Sequence, residues 1–232
     1  MAEVDNWIPK TKLGKMVKNG EIKSIDEIID KGYDIKEPEI VDILLPNLES
    51  DLILIGHQRG KSGGGRRKAY KNTQKVTAEG KRIKFTSLAI VGNRDGYIGM
   101  GLGSSNETVP AKAKAIRNAK LNIIRIKRAC GSWECACGSP HSIPCKVRGK
   151  SGSVTVEIKP APKGLGLCIS SECRKILELA GIKDVWSKTF GKTATRVNLA
   201  VACFNALKQI SKMKVKDSFS KESGLVEGAL NK

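Results

Sequence analysis

The chain has 232 residues, 40% of them hydrophobic and only 4% aromatic, and its formal net charge is +19. This length is enough for one large domain or two small ones with cores of their own, and the lack of an apolar run of about 18 residues argues against a membrane span. Seven cysteines, an odd and unevenly spread number, favour a reducing compartment over a disulfide scaffold. Since the first residues also lack the layout of a signal peptide, we expect a cytoplasmic protein.

The positive charge is concentrated in one part of the chain. Residues 1–50 contain seven lysines and eleven acidic residues, a net charge of −4, so the remaining residues carry +23. A merely solvated surface would not divide in this way. The uneven charge therefore favours a polyanionic partner for the body of the protein.

Residues 1–50 are predicted to form an extension made of short helices. Ser24 precedes the segment IDEIIDKG, whose acidic first turn and terminal Gly32 suit a helix. Two prolines bracket a second helical segment, EIVDILL. Such pieces are too small to fold alone, so we expect them to pack on the rest of the chain or on a partner.

A basic, glycine-rich run follows between Arg59 and Lys84. It contains ten bases and one acid, Glu79. Glycines 63 to 65 leave the backbone free to follow an irregular surface, and arginine side chains match the geometry of phosphates. This composition is typical of a nucleic-acid-binding loop, because a merely flexible linker would not need so many charges.

A β-hairpin is predicted from Phe85 to Gly103. Its two halves alternate well enough for half-buried strands, and Asp95-Gly96 between them is a hairpin signal. Asn93 and Arg94 are expected at the exposed tip, where they are available for contacts with backbone or phosphate.

The residues after Thr108 predict a basic helix. Thr108 is the expected N-cap, and Pro110 suits the first turn. The apolar positions expected to lie on the sheet are Ala113, Ile116, Ala119 and Ile123. Seven bases and no acid occur between Thr108 and Arg128. Strands followed by such a helix are the layout of a double-stranded-RNA-binding domain, which recognises RNA mainly by shape, phosphates and 2′-hydroxyls.

The connector 129–145 holds the metal-like cluster of the sequence, which consists of Cys130, Cys135, Cys137 and His141. Cysteine and histidine could ligate zinc tetrahedrally, with Cys145 as a substitute. The spacing C-x4-C-x-C-x3-H lacks the paired C-x2-C that marks strong zinc motifs, so buried or free thiols are the favoured interpretation. No metal ligand and no cofactor are assigned on this pattern.

A second module is predicted over residues 146–210. A strand-turn-strand with alternating valines and isoleucine leads to the helix SSECRKILELAGI, which Gly181 ends, and to a last amphipathic helix, VNLAVACFNALKQI. This order indicates a compact α+β or βαβ-type unit. Residues 211–232 are polar and charged and are expected to form a mobile tail.

Enzymatic chemistry has little support in the sequence. Gly99, Gly101 and Gly103 lie between a strand and a helix, but the spacing is not that of a dinucleotide fingerprint and no acidic residue follows at the ribose position. Strand geometry and close helix packing are the favoured interpretation, and a nucleotide-binding enzyme is the alternative. No catalytic residue is predicted.

Three strings are distinctive: VGNRDGYIGMGLG in the first module, and PAPKGLGL and LELAGIKDVWSK in the second. They resemble the two domains of the small-subunit ribosomal protein five family, and the match runs in order from about Lys75 to Leu207. The extension and the CGSWECACGSPHSIP insert look like the archaeal branch of that family.

The resemblance implies an α+β fold in which a double-stranded-RNA-binding-like domain, residues 51–128, precedes a C-terminal βαβ domain. It implies a non-enzymatic constituent of the small subunit that binds rRNA and supports assembly and translational accuracy. The implied surroundings are the path by which mRNA enters and ribosomal proteins three, four and eight. The RNA-contacting loop of the family matches Thr77 to Arg82. With the basic run and the hairpin tip, the predicted RNA-binding residues are Arg59, Lys61, Arg66, Arg67, Lys68, Lys71, Lys75, Thr77, Glu79, Gly80, Lys81, Arg82, Asn93 and Arg94.

Overall fold

The structure, a computed structural model, describes residues 7–59 and 65–229. Lys61, one of the predicted RNA-binding residues, lies outside the described residues, and Arg59 is described by its backbone alone. The described helices are α1 Lys12–Lys18, α2 Ile25–Asp30, α3 Pro38–Leu44, α4 Thr108–Leu121, α5 Ser171–Leu179, α6 Arg196–Lys212 and α7 Asp217–Ser223.

The strands fall into four sheets within the described residues. Their bounds are β1 Glu49–Ile53, β2 Gly56–Arg59, β3 Gly65–Lys68, β4 Tyr70–Thr77, β5 Gly80–Gly92, β6 Tyr97–Ser105, β7 Ile123–Arg125, β8 Lys127–Arg128, β9 Val147–Ser151, β10 Val154–Pro160, β11 Leu167–Cys168, β12 Val185–Phe190 and β13 Val226–Glu227. One sheet has the order β1-β5-β6-β7 with β4 also paired to β5, and a second has the order β11-β12-β10-β9. Two further pairs, β2-β3 and β8-β13, are two-stranded. The predicted α+β class is confirmed.

Residue packing divides the chain into two compact units. The first is built from described residues of Met1–Leu52, Gly56–Val91 and Gly99–Ile123, and the second from Ile53–Ile55, Gly92–Ile98 and Ile124–Lys232. The predicted boundaries at residues 51, 129, 146 and 211 follow the chain order, whereas packing assigns the hairpin tip, residues 92–98, to the second unit.

The N-terminal extension has a small core of its own. Val17, Ile22, Ile28 and Ile40 are buried there, and Trp7 packs against them. Lys120 of α4 then contacts the Asp42 carboxylate of α3 at 2.7 Å, and both side chains are partly buried. The extension is therefore packed on α4 of the first unit, as expected for pieces too small to fold alone.

The face of α4 that packs on the sheet differs in part from the predicted apolar face. The helix begins at Thr108, but the N-cap residue is Glu107. Its buried face consists of Ala111, Ala115 and Ala119, while Ala113 is exposed. The predicted stripe is wrong at Ala113, because the face that packs on the sheet is formed by alanines four residues apart. Ala119 is buried as predicted, and Ile116 packs against the same cluster.

The second unit places α6 on the β9-β10 face of its sheet. Gly149 allows this approach, since a Cβ there would lie 2.0 Å from the Ala202 carbonyl oxygen. Gly181 ends α5 with a φ of 78°, and the next amide, that of Ile182, donates to the Leu177 carbonyl at 3.0 Å. The predicted helix end is therefore confirmed, because a left-handed φ there suits glycine.

Residues 211–229 are structured, in contrast to the expected mobile tail. They complete α6, form α7 and add β13, which pairs with β8 through Val226↔Arg128 and Glu227↔Lys127. The Glu227 carboxylate also contacts Arg125 Nη2 at 3.3 Å. Backbone pairing and neutralised charge hold a segment whose polar composition had suggested disorder.

Candidate nucleic-acid interface

The β4-β5 pair forms a cationic ribbon, residues 71–84, that protrudes beyond the hydrophobic core of its sheet. Its turn is Ala78-Glu79, between the paired residues Thr77 and Gly80. Gly80 has a φ of 119°, which requires glycine, and the Thr77 hydroxyl donates to the Gly80 carbonyl at 2.9 Å. This turn fixes the register that aligns the bases on the two strands.

Both faces of the cationic ribbon are open to solvent. Every residue from 71 to 84 is exposed except Thr77, which is half-buried. Lys75 pairs with Arg82 and Val76 with Lys81, so bases lie on both faces, because paired residues of antiparallel strands share a face. Val76 is 74% exposed, which is unusual for a β-branched apolar residue and typical of a surface that a partner covers.

The acidic residue of the ribbon tip has a local role. Glu79 lies 3.5 Å from the Arg82 guanidinium, and both side chains are more than 70% exposed. An exposed pair of this kind contributes at most about 1 kcal/mol. Of the predicted tip residues, Glu79 therefore partly offsets the charge of Arg82 and is not itself suited to bind phosphate.

The β2-β3 hairpin places a second group of predicted bases at the foot of the ribbon. Arg66 and Arg67 are exposed on β3, and Lys68 is half-buried with its Nζ 5.5 Å from the Tyr70 ring centroid. Gly56 fits against the Tyr70 carbonyl, where a Cβ would lie at 1.8 Å. The first unit thus brings the bases of β3, β4 and β5 together.

The hairpin tip at Asn93 is built differently from the sequence expectation. The Asn93 Oδ1 accepts hydrogen bonds from the Asp95 and Tyr97 amides at 2.8 and 3.1 Å. Arg94 adopts a φ of 56°, and its amide donates to the Leu179 carbonyl at 2.9 Å. Asn93 therefore holds the turn and is not available through this oxygen for RNA, whereas the Arg94 side chain is exposed.

Arg94 lines an open, basic cleft in the second unit that sequence reasoning missed. The cleft has a volume of about 1150 Å³ and is lined by five cations and three carboxylates. Arg128 is buried and bound to Asp95 Oδ1 at 2.6 Å, so its charge is compensated. The exposed cations of the cleft are Arg94, Lys163, Arg174 and Lys183.

A second surface missed by sequence reasoning is the outer face of the β9-β10-β12 sheet. Cross-strand register places Arg148, Glu157 and Lys188 side by side, and Lys150, Thr155 and Phe190 in the next row. Phe190 is flanked by cations, with Arg148 Cζ at 5.9 Å and Lys188 Nζ at 5.3 Å from its ring centroid. The signal was present as the period-two bases in KVRGK, which alternate with residues that face α6.

Glu157 is the acid at the centre of that face. A hydrogen bond from Lys146 lowers the pKa of the Glu157 carboxyl from its ordinary value, and the charge of Arg148 adds to this. The carboxylate neutralises part of the row without removing its excess of bases.

The cysteine-rich connector collects four metal-ligand atoms. The ligand atoms of Cys130, Cys135, Cys137 and His141 all lie within 4.8 Å of one another. His141 Nδ1 lies 2.8 Å from the Asp184 carboxylate, and His141 Nε2 lies 3.9 Å from Cys135 Sγ. A hydrogen bond with Ser139 lowers the pKa of Cys137 to about 6, while burial raises that of Cys130.

Helix α4 packs directly against the glycines of the alternative nucleotide site. A Cβ on Gly99 would lie 2.2 Å from the Ala119 carbonyl oxygen, and one on Gly103 would lie 2.2 Å from the Ala115 amide. The backbone of α4 fills the space that a pyrophosphate would need. The nucleotide interpretation is therefore wrong, and the packing interpretation is confirmed.

Within residues 7–59 and 65–229, no helix combines the length and apolar character needed to cross a bilayer.

Comparison with known proteins gives the family. The model of the ribosomal protein S5 N-terminal domain matches residues 66–127, and that of the C-terminal domain matches residues 149–221. The small ribosomal subunit protein uS5 of Nanoarchaeum equitans is 53% identical over 230 residues, 99% of each chain. The chain belongs to the ribosomal protein S5 family.

Two further archaeal members support the same assignment. The uS5 proteins of Methanocaldococcus jannaschii and Methanococcoides burtonii are 48% and 49% identical, over 97% and 88% of this chain and 97% and 89% of their own lengths. The predicted resemblance is confirmed, and the S5 family is structural rather than enzymatic. In this S5 chain the cysteine cluster lies between the two matched domains, while the cationic ribbon lies within the first.

Proposed function

We propose that this S5 chain is a structural constituent of the small ribosomal subunit and binds rRNA chiefly through the cationic ribbon. The observation that carries the proposal is the exposure of both ribbon faces together with their excess of bases. A folded ribbon with no core beneath its tip gains no packing energy from its own side chains. Phosphates on a neighbouring RNA supply the compensating interaction, by direct contact with lysine and arginine and by release of counterions.

The remaining predicted contacts extend this interface. Arg66, Arg67 and Lys68 lie on β3, and Lys71 lies at the base of the ribbon. Arg59 is the last residue of β2, and Lys61 is a proposed contact outside the described residues. In the second unit, the exposed side chain of Arg94 and the other cations of the basic cleft offer additional phosphate contacts. Backbone positioning by many such contacts is the usual way in which a protein binds structured RNA.

The test is a salt titration of binding to small-subunit rRNA with a charge-matched control. The ribbon variant replaces Lys75, Lys81 and Arg82 by glutamine, and the control replaces three exposed lysines of the extension, Lys12, Lys15 and Lys23, in the same way. Loss of three phosphate contacts should reduce the slope of log K against log salt by about 2 to 3. The control should change the slope by less than about 1. Equal slopes for the two variants would remove the ribbon from the interface.

The same proposal includes support of subunit assembly, contribution to accuracy and a position near the path by which mRNA enters, beside ribosomal proteins three, four and eight. Small subunits reconstituted with the ribbon variant should assemble more slowly and misread near-cognate codons at a changed rate, relative to subunits with the control variant. Protein crosslinking within those subunits should join this chain to the three named neighbours. Normal assembly together with unchanged misreading would limit the ribbon to a passive contact.

A further inference from the structure

We propose that Cys130, Cys135, Cys137 and His141 bind one zinc ion through three thiolates and the His141 Nε2. In a tetrahedral site with a Zn–S bond of about 2.3 Å, neighbouring sulfur atoms lie roughly 3.8 Å apart. The four ligand atoms here all lie within 4.8 Å of one another, and Cys135 Sγ is 3.9 Å from His141 Nε2. The connector is thus folded to within a small adjustment of tetrahedral geometry.

Backbone pairing explains how three cysteines and a histidine at irregular sequence spacing come together in one site. Ala129 and Ser142 form an antiparallel bridge with reciprocal hydrogen bonds of 3.0 and 3.1 Å, which brings the adjacent Cys130 and His141 together. The ten residues between them fold back and carry Cys135 and Cys137 to the same point. Gly138, with a φ of 60°, supplies the left-handed turn after the third thiol. The missing C-x2-C pair is therefore replaced by a bridge between the two ends of the loop.

The histidine is oriented as a metal ligand. Its Nδ1 faces the Asp184 carboxylate at 2.8 Å, and both side chains are more than 90% buried. The other Asp184 oxygen accepts from the Gly164 and Gly166 amides at 3.1 and 2.8 Å, so the carboxylate cannot turn away. When the carboxylate accepts a hydrogen bond from Nδ1–H, the lone pair of Nε2 is directed at the thiols. Zinc-bound histidines are usually oriented by such a hydrogen bond to a carboxylate.

The types of ligand atom indicate which metal the site would bind and what role that metal would have. Three thiolates and one imidazole suit zinc in preference to magnesium or calcium, which take oxygen ligands. Four protein ligands leave no open position for a substrate, so the ion would be structural. It would fix the connector to the residue before β12 through His141 and Asp184, in a part of the chain where large apolar side chains are few. Trp133, the aromatic residue of this loop, is 93% exposed and contributes no core.

The test measures metal binding by the purified full chain, reduced and at high salt. Zinc content and titration with Co(II) are compared for the wild type, Cys137→Ser and Cys168→Ser. Cys137 and Cys168 are both exposed, so neither change leaves a cavity, but Cys168 lies outside the cluster. We expect one ion per chain and the absorption of tetrahedral thiolate cobalt in the wild type and in Cys168→Ser. Cys137→Ser should bind at least about tenfold more weakly.

Asp184→Asn tests the positioning role. It keeps the three thiolates and should retain the thiolate-to-cobalt bands while weakening binding by about 10- to 100-fold. If Cys137→Ser fails to fold, alkylation of the wild type replaces it: zinc should slow the modification of Cys137 and leave that of Cys168 unchanged. Equal cobalt affinity in the Cys137 and Cys168 variants, equal alkylation of the two thiols with zinc present, or a wild type without tetrahedral cobalt absorption would each overturn the proposal.

Discussion

Gly101 of β6 lies so close to Ala119 of α4 that a Cβ on the glycine would be 2.2 Å from the Ala119 amide nitrogen. The neighbouring glycines at 99 and 103 meet the same helix at the same distance. Helix and sheet are therefore in backbone contact along one line. The distance between helix and sheet is set by the absence of side chains on the strand glycines and not by interlocking side chains.

This contact predicts the effect of a single methyl group. Gly101→Ala must displace the backbone of α4, and we expect it to lower the free energy of unfolding by about 2 to 3 kcal/mol. Leu102→Ala, on the other face of the same strand where Leu102 is 43% exposed, is the matched control and should cost less than half as much. Urea denaturation followed by far-UV circular dichroism measures both. A cost for Gly101→Ala no greater than that for Leu102→Ala would contradict the close backbone contact between strand and helix.

The buried Arg128 gives a second prediction. Its Nη2 donates to the Asp95 carboxylate at 2.6 Å and to the Gly228 carbonyl at 2.9 Å. Arg128→Met removes the guanidinium from both acceptors and should destabilise the chain by about 3 kcal/mol. Lys163→Met, an exposed cation of the basic cleft, should change the stability by less than about 0.5 kcal/mol. An unchanged free energy of unfolding for Arg128→Met in urea denaturation would mean that water replaces the guanidinium without loss of stability.

The Glu157 carboxyl predicts a pH dependence. Because its pKa in the folded protein lies below the unfolded value of about 4.3, Glu157 stabilises the fold above that pH. This stabilisation is lost as the pH falls through the lowered pKa of the folded protein. Thermal unfolding from pH 7 to pH 3 should show a smaller acid-induced drop for Glu157→Gln than for the wild type. Glu21→Gln, at an exposed position in the extension, should leave the drop unchanged.

The ribbon tip predicts a gain of affinity. Glu79→Gln removes the acid of the ribbon and frees Arg82 from its exposed pair. We expect tighter rRNA binding at low salt, with the difference vanishing at high salt because the effect is electrostatic. The melting temperature should not change, since the pair contributes little to stability. A weaker complex at low salt would instead show that Glu79 contacts RNA directly, as the sequence resemblance implied.

Local sequence signals predicted the turns and helix ends well, because single residues determine them. Asp95-Gly96 marks the hairpin, and Gly181 ends α5 with the positive φ that glycine permits. On α4 the prediction was right at Ala119 and wrong at Ala113, because periodicity does not show which of several closely spaced alanines meet the sheet. The contact actually depends on pairs of small residues far apart in the chain, such as Gly101 and Ala119.

The candidate site was predictable where charge alone defines it and not where three-dimensional pairing does. The bases of the ribbon stand out in composition, and the structure places them together. Asn93 looked available for RNA because nothing in the sequence shows that its oxygen accepts two amides of its own turn. The convergence of the four cysteine and histidine ligand atoms was not predictable for a similar reason: the Ala129↔Ser142 bridge and the distant Asp184 carry no local signature.

The pairing of β8 with β13 bears on how the protein is made. Arg128 and the carbonyl of Gly228 that it binds are 100 residues apart in the chain. A ribosome that has just added Arg128 to the growing chain must add 100 more residues before this acceptor exists. The second unit therefore cannot complete its hydrogen bonding until residue 228 has been added.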